Sequence, residues 1–311
     1  MVPVMRTWPK VKEDKPLLEG FAGFKAGCLH VITVDDRERT PNFGKPLFAA
    51  ATVLATPPML VYGFRAYEGD GNGLRAVADV FVKELPKELA RKSGIVPPPS
   101  DEATEKIRVH LERIKRFAVH GYVSPRDARL PQKTPFTFEV VVGGGDMKTQ
   151  FEFVTSLLGK KVSASEIVKP GRLVDVLAVT KGKGFEGPIT RFGVKRKTAK
   201  SRKSVRAVAV LGPWHPAAVT YHVPRAGQMG FHRRTEFNKK VLAVSNTKST
   251  PINPKGGFGH FGLIDGDYVV LRGSVPGPPK RLVRLRLPVR ETRAKAQPPK
   301  IIEISTTRAA A

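Results

Sequence analysis

Between Lys181 and Lys240 the chain carries fifteen Lys/Arg against Glu186 and Glu236 alone, about half of its net excess of +27 in under a fifth of its length. Two runs hold most of that charge, Arg191 to Lys203 and Phe231 to Arg234, and the uncharged stretch Leu211-Gly-Pro-Trp214-His-Pro216 lies between them. Such a segment has no apolar stripe with which to build a core. Like charges at this density repel one another until a polyanion neutralises them, and a phosphate backbone is the usual partner. The segment reads as an RNA- or DNA-binding loop, disordered alone and ordered on binding.

The rest of the chain has enough apolar material to fold. Of 311 residues, 41 % are apolar, which suits one large or two ordinary domains. The single cysteine, Cys28, excludes a disulfide framework and any cysteine-based zinc site. No stretch approaches the roughly 20 apolar residues needed to span a bilayer. The first residues, through Trp8-Pro9, lack the apolar region of a signal peptide, so a soluble, cytoplasmic protein is expected. Twenty-nine Gly and 27 Pro favour short strands and long loops over a helical bundle.

Charge divides the chain. From Asp70 to Glu166 there are sixteen Lys/Arg and thirteen Asp/Glu, the balance of an ordinary module. There Ser100, Asp101 and Glu102 resemble a helix start, and Ala103, Ile107, Leu111, Ile114 and Ala118 form one stripe, closed by Gly121. Pro97 to Pro99 stop any helix arriving from before. A second helix is expected after Gly69 to Gly73, running towards Leu85, and a strand over Phe136 to Val142. The module is therefore expected to be α/β. Flanking it, runs at Leu29–Val34, Phe48–Leu54, Leu60–Phe64, Leu173–Thr180, Val205–Leu211, Tyr268–Leu271 and Leu282–Leu287 read as strands. Short strands split by an insertion suggest a small closed barrel, because closure removes exposed edges.

The motifs point to binding and not to catalysis. Lys181-Gly-Lys183-Gly-Phe-Glu-Gly187 fits neither the Walker pattern nor a dinucleotide fingerprint. Its glycines let a backbone approach phosphates while the lysines neutralise them; a plain turn is the bland reading. His215, His222 and His232 have Glu236 alone nearby for a metal site, and a His-based RNA nuclease would need a pocket the loop does not offer, so stacking or phosphate contact is the better assignment. Trp214 reads in two ways, as a plug for its own loop or as a probe that stacks on a base. The stretch Lys248 to Gly262 is either a structural turn or, through Lys255, an RNA contact. Asp35-Asp36 and Asp265-Gly-Asp267 are turn chemistry. No catalytic residue, metal ligand or cofactor site is expected.

Taken in order, these motifs resemble a known family. Thr180-Lys-Gly-Lys-Gly-Phe-Glu-Gly187, Gly212-Pro-Trp-His-Pro-Ala217 and Val223-Pro-Arg-Ala-Gly-Gln-Met-Gly-Phe-His-Arg-Arg-Thr-Glu-Phe-Asn-Lys-Lys240 are similar to ribosomal protein L-three, in its archaeal and eukaryotic form. Gly20 to Gly27, Thr56 to Met59 and Thr250 to His260 add to the match, which runs from about residue 8 to 287.

The resemblance implies a mainly β fold, a translation-factor-like closed β-barrel interrupted by an α/β insertion, with a long basic central extension. On that plan residues 1–68 open the barrel, 69–166 are the insertion, 167–180 continue the barrel and 181–248 hold the extension with adjoining strands. Residues 249–289 close the barrel and 290–311 form a tail. It further implies a structural constituent of the large subunit, not an enzyme, that binds the 3′-terminal domain of large-subunit rRNA and nucleates assembly. Its Trp-tipped loop reaches towards the peptidyl transferase centre and the A-site region. Expected partners are that rRNA and neighbouring large-subunit proteins, with no membrane and no homo-oligomer. The residues expected on rRNA are Lys181, Lys183, Arg191, Lys195, Arg196, Lys197, Lys200, Arg202, Lys203, Arg206, Trp214, His215, Arg225, His232, Arg233, Arg234, Lys239, Lys240 and Lys255. Two positions depart from the family. Trp8-Pro9 stands where relatives have a basic arm ahead of it, and Arg202 replaces a histidine that eukaryotic relatives can methylate, so no such modification is expected.

Overall fold

Alternation begins early in the chain: Leu29, Val31 and Thr33 are buried while Cys28 and His30 face solvent, the two-residue period of a strand with one face in a core. The computed structural model describes residues 2–11, 13–70, 73–93, 100–201, 204–208, 210–290 and 297–306. It divides into two units, residues 1–178 with 235–311, and residues 179–234.

The first unit starts with β1 (Leu17–Leu18), β2 (Gly20–Val34) and β3 (Pro46–Ala55). β2 and β3 pair antiparallel from Phe24 with Ala55 to Val34 with Pro46. Then follow β4 (Met59–Asp70), β5 (Gly73–Phe81), α1 (Lys87–Ser93), α2 (Ser100–Val109), β6 (Ile114–Val123), β7 (Phe136–Gly143), α3 (Met147–Leu157), β8 (Lys161–Val162) and α4 (Ala164–Ile167). Their strands form a sheet in the order β1-β7-β6-β4-β5, with β8 on β4. Phe64, Phe117 and Phe151 of β4, β6 and α3 meet ring to ring at 6.1–6.4 Å and fasten α3 to that sheet. Such aromatic pairs each add about 0.5–1.5 kcal/mol beyond area burial.

After β9 (Leu173–Val179) the second unit supplies β10 (Gly184–Glu186), α5 (Pro188–Phe192) and β11 (Gly227–Met229). The chain continues through β12 (Arg233–Asn246), β13 (Asp267–Arg272), β14 (Leu282–Arg286) and β15 (Ile301–Ser305). The larger sheet runs β14-β9-β12-β13-β3-β2-β15, and β14 pairs with β2 as well as with β9. Six strands are thus linked in a circuit. β2 uses its first residues, Gly20–Phe24, on β14 and its last, His30–Thr33, on β15.

Burial and hydrogen bonding agree inside this core. Tyr268 is fully buried, yet its hydroxyl donates to the Thr250 carbonyl at 3.0 Å, so the ring adds burial without an orphaned donor. Asp175 of β9 is inaccessible and accepts from Arg286 Nε and Nη2 of β14 at 3.1 and 3.0 Å. It also accepts from the Asn238 and Val289 backbone N–H groups at 3.0 and 3.2 Å. Arg286 donates further to the Thr7 carbonyl, and Arg284 to those of Pro3 and Glu139, so these two arginines tie down the first residues of the chain. Removing one partner from such a buried pair costs about 3–5 kcal/mol.

The protein is mainly β, as the sequence implies, but several elements differ from expectation. The helix expected through Ala118 stops at Val109; Ile114 to Val123, Gly121 included, is β6. A spacing of four fits one face of a strand as well as one face of a helix, and Phe117, Val119 and Tyr122 favour the strand. The helix expected after Gly73 is β5, paired along β4 from Asp70 with Gly73 to Gly63 with Phe81. Its Leu, Arg and Ala are helix formers overridden by the hairpin. No strand forms among the described residues of 205–211, where the chain turns and Val210 and Leu211 are exposed. β12 lies within 181–248, the stretch expected to hold the extension with adjoining strands, and β15 lies in the stretch read as tail. The Pro97 to Pro99 stop, and the middle of the turn after Gly69, fall outside the described residues.

Candidate nucleic-acid interface

Nothing between Lys181 and Arg234 is buried among the described residues, so this unit is held by backbone and side-chain hydrogen bonds in place of a core. β10 and β11 pair antiparallel, with Gly184 opposite Met229 and Glu186 opposite Gly227. Lys183 N–H donates to the Met229 carbonyl and Thr180 N–H to the His232 carbonyl, each at 2.9 Å. His232 N–H returns to Thr180 Oγ1 at 3.1 Å. Gly230 makes the return possible: its φ is +73°, and a Cβ there would lie 2.1 Å from the Lys181 carbonyl oxygen. Pro188 starts α5 and Gly193, at φ +73°, ends it.

From the last turn of α5, Arg191 reaches across to the other limb. Its Nη1 donates to the Arg225 carbonyl at 3.0 Å and its Nε to that of Gln228 at 3.2 Å. A cavity of about 400 Å³ opens beside these bonds. It is lined by Lys181, Lys183, Arg191, His232 and Arg234 together with Phe192, Gln228 and Gly230. Five of the residues expected on RNA therefore share one concave surface, with no acidic side chain among its described lining residues. Such a surface can take a phosphate, with ammonium and guanidinium groups as donors and an imidazole edge beside them.

The remaining expected residues are placed differently. Lys195, Arg196 and Lys200 are exposed, Lys197 is half-buried, and the Lys197 N–H meets the Val205 carbonyl at 3.2 Å. Arg206 Nη2 donates to Thr190 Oγ1 at 3.3 Å. Arg225 and His215 are exposed, and Arg233 lies at the start of β12. Arg202 and Lys203 fall outside the described residues. In the first unit, Lys239 is paired with Glu236 at 2.6 Å and Lys240 with Asp36, so both are engaged by the protein itself. Lys255 is exposed on a turn of that unit. The aromatic rings beside it, Phe258 and Phe261, are buried in the core, which favours the structural reading of that glycine-rich stretch.

Trp214 is 89 % exposed. Its ring is not packed into its own loop among the described residues. Sequence reasoning missed its companions: Tyr221 is 90 % exposed and lies against His222 with centroids 3.8 Å apart and the rings tilted by 36°, and Phe185 is 79 % exposed. Their signal was an aromatic ring in a segment without apolar periodicity. Among the described residues no group of three His, Cys, Asp or Glu could hold a metal, and no helix is long and apolar enough to cross a membrane.

Residues 1–309 match the model of the family described as Ribosomal protein L3. The chain belongs to the ribosomal protein L3 family. Membership makes it a ribosomal protein and not an enzyme. It is 41 % identical to the large ribosomal subunit protein uL3 of Methanothermobacter thermautotrophicus, over 98 % of this chain and 91 % of that one. Against the uL3 of Pyrobaculum aerophilum the identity is 44 %, covering 98 % and 92 %. For Archaeoglobus fulgidus it is 40 %, covering 99 % and 92 %. The L3 match extends through the basic unit as well as the sheets.

Proposed function

We propose that this protein is a structural constituent of the large ribosomal subunit that binds large-subunit rRNA chiefly through residues 179–234. The observation that carries the reading is a unit of one dominant charge sign, without a buried residue among those described between Lys181 and Arg234, that leaves Trp214 and Tyr221 almost wholly exposed. Protein surfaces do not normally leave such aromatics bare; stacking on bases and neutralisation by phosphates satisfies both features. The family match supplies the setting, since the relatives are named as large-subunit proteins.

In this reading the circuit of six strands is the translation-factor-like barrel and the sheet from β4 to β8 is its α/β insertion. The rRNA target is the 3′-terminal domain, where binding nucleates assembly. The cavity at Lys181, Lys183 and Arg234 grips backbone phosphate, while Trp214 leads towards the peptidyl transferase centre and the A-site region. Neighbouring large-subunit proteins complete the surroundings, and no homo-oligomer is needed. About ten phosphate contacts give a log–log salt slope of roughly −7 to −9.

Chemical footprinting on full-length large-subunit rRNA at about 0.15 M salt tests this. Protection concentrated in the 3′-terminal domain, with an arm that disappears when residues 195–232 are deleted, is expected. Diffuse protection over every domain would instead identify a general RNA binder.

A further inference from the structure

One concave surface of the first unit runs against the charge of the chain that carries it. A cavity of about 700 Å³ lies where the segment before β1 crosses the end of β7 and the start of α3. Four acidic side chains line it, Glu13, Asp14, Glu19 and Asp146, against Lys10, Lys115 and Arg116. The chain as a whole has twice as many basic residues as acidic ones.

Two lining side chains are buried, and each leaves one oxygen without a partner among the described residues. Gln150 is 4 % exposed, and its Nε2 donates to the Gly144 carbonyl at 2.8 Å. That bond fixes the amide's orientation and leaves Oε1 as an acceptor without a donor. Glu19 is 2 % exposed, and its Oε2 is equally unserved. Burial pushes the Glu19 carboxyl up to about 8, with Arg116 pulling it the other way, so the free protein holds it largely protonated at neutral pH. The walls are built close together on purpose-shaped backbone. Gly144 has φ +79°, a Cβ there would lie 2.4 Å from the Lys15 carbonyl oxygen, and Gly145 N–H donates to the Glu13 carbonyl at 2.8 Å. Buried acceptors without donors are rare in folded proteins, and both of these belong to residues that line one cavity.

We propose that this cavity receives a basic side chain, arginine or lysine, from a neighbouring protein of the large subunit, with Glu19 Oε2 and Gln150 Oε1 as its acceptors. The inference rests on the subunit membership proposed above. A guanidinium brings five donors and no acceptor, which suits the Gln150 amide oxygen and an ionised Glu19 carboxylate. An RNA phosphate would present acceptors to acceptors and meet four carboxyl groups. The arriving cation also stabilises ionised Glu19, whose proton then leaves to solvent.

The test uses the full chain assembled into large subunits, with Thr149, exposed on the rim of the cavity, replaced by photoreactive p-benzoylphenylalanine. Co-sedimentation with the subunit reports the membership reading separately from the cross-link. Irradiation is expected to join position 149 to a single neighbouring protein, at a peptide bearing Arg or Lys at the link. Glu19→Gln and Gln150→Met, each added to this background, are expected to lower the yield about tenfold, the effect of losing one charge-assisted hydrogen bond, with co-sedimentation unchanged. A link to rRNA, no link in correctly assembled subunits, or a yield that neither substitution moves would each overturn the proposal.

Discussion

Arg191 reads from sequence as a phosphate ligand, yet its guanidinium is given to the protein, and replacing it with Met separates the two roles. Arg191→Met keeps the aliphatic stem and removes the bonds to the Arg225 and Gln228 carbonyls. A hydrogen bond from a charged donor is worth about 1.5–3 kcal/mol when buried. Arg191 is only half-buried, so about 1 kcal/mol each is a fair discount, or about 2 kcal/mol for the pair. That lowers the population of the RNA-ready arrangement, and the affinity with it, roughly 30-fold. The salt dependence decides the cause. A lost phosphate contact makes the log–log slope shallower by about 0.7–0.9, whereas a lost clamp leaves it alone. Fluorescence anisotropy on a fragment of the rRNA 3′-terminal domain, from about 0.05 to 0.2 M salt, gives both numbers. Lys195→Met, at an exposed position, is the comparator and should change the slope. If Arg191→Met changes the slope by nearly one and costs no more affinity than Lys195→Met, the clamp is wrong and Arg191 is one phosphate ligand among several.

Three further outcomes are expected. Trp214→Ala should move the urea midpoint by less than about 0.5 kcal/mol equivalent, since the ring is almost fully exposed. Ribosomes carrying it should show slower aminoacyl-tRNA or factor turnover, and unimpaired elongation would remove the proposed role. Asp175→Ala strands the buried Arg286 guanidinium and should cost about 3–5 kcal/mol in urea unfolding; a loss below about 1 kcal/mol would show the pair is not needed. Glu19 has a raised folded-state pKa, so its contribution to stability is complete below about 4.5 and fades as pH rises to about 8. One proton is worth at most about 1.4 kcal/mol per pH unit over that window. Glu19→Gln should flatten the stability profile there, and an unchanged slope would assign the pH dependence elsewhere.

Legibility followed how each residue is paid attention by its neighbours in space. The strand at Leu29–Val34 was readable because its alternation matches one buried face; Tyr268–Leu271 and Leu282–Leu287 are buried throughout and were readable as short apolar-rich runs bounded by Asp, Gly or Pro. β12 was not: its first half is Arg, Glu and Lys, and the contacts that fix it, Asp175 on the Asn238 N–H and Asp36 on Lys240, come from residues far away in sequence. Distance of the same kind hid the role of Arg191, whose charge is visible in sequence and whose acceptors at Arg225 and Gln228 are not. Ile114 and Ala118 misled because a four-residue interval belongs to both periodicities. In the basic unit the charge and Trp214 are visible in sequence, but which residues share the cavity at Lys181 depends on the β10–β11 register. The open acceptors of Glu19 and Gln150 left no sequence signal, because being unserved is a property of surroundings.

The two partners of β2 carry a consequence for how a copy of this chain is made. Phe24 pairs with Leu282, and Thr33 with Ile301. A chain emerging at about 5–20 residues per second therefore finishes β2 some ten to fifty seconds before its partner strand β14 exists. During that interval the Gly20–Phe24 stretch offers unpaired N–H and C=O groups to any extended segment nearby, an invitation to aggregate that only the last tenth of the sequence withdraws. A product cut short before Leu282 would keep that edge open permanently, so quality control of nascent copies has a simple physical mark to act on.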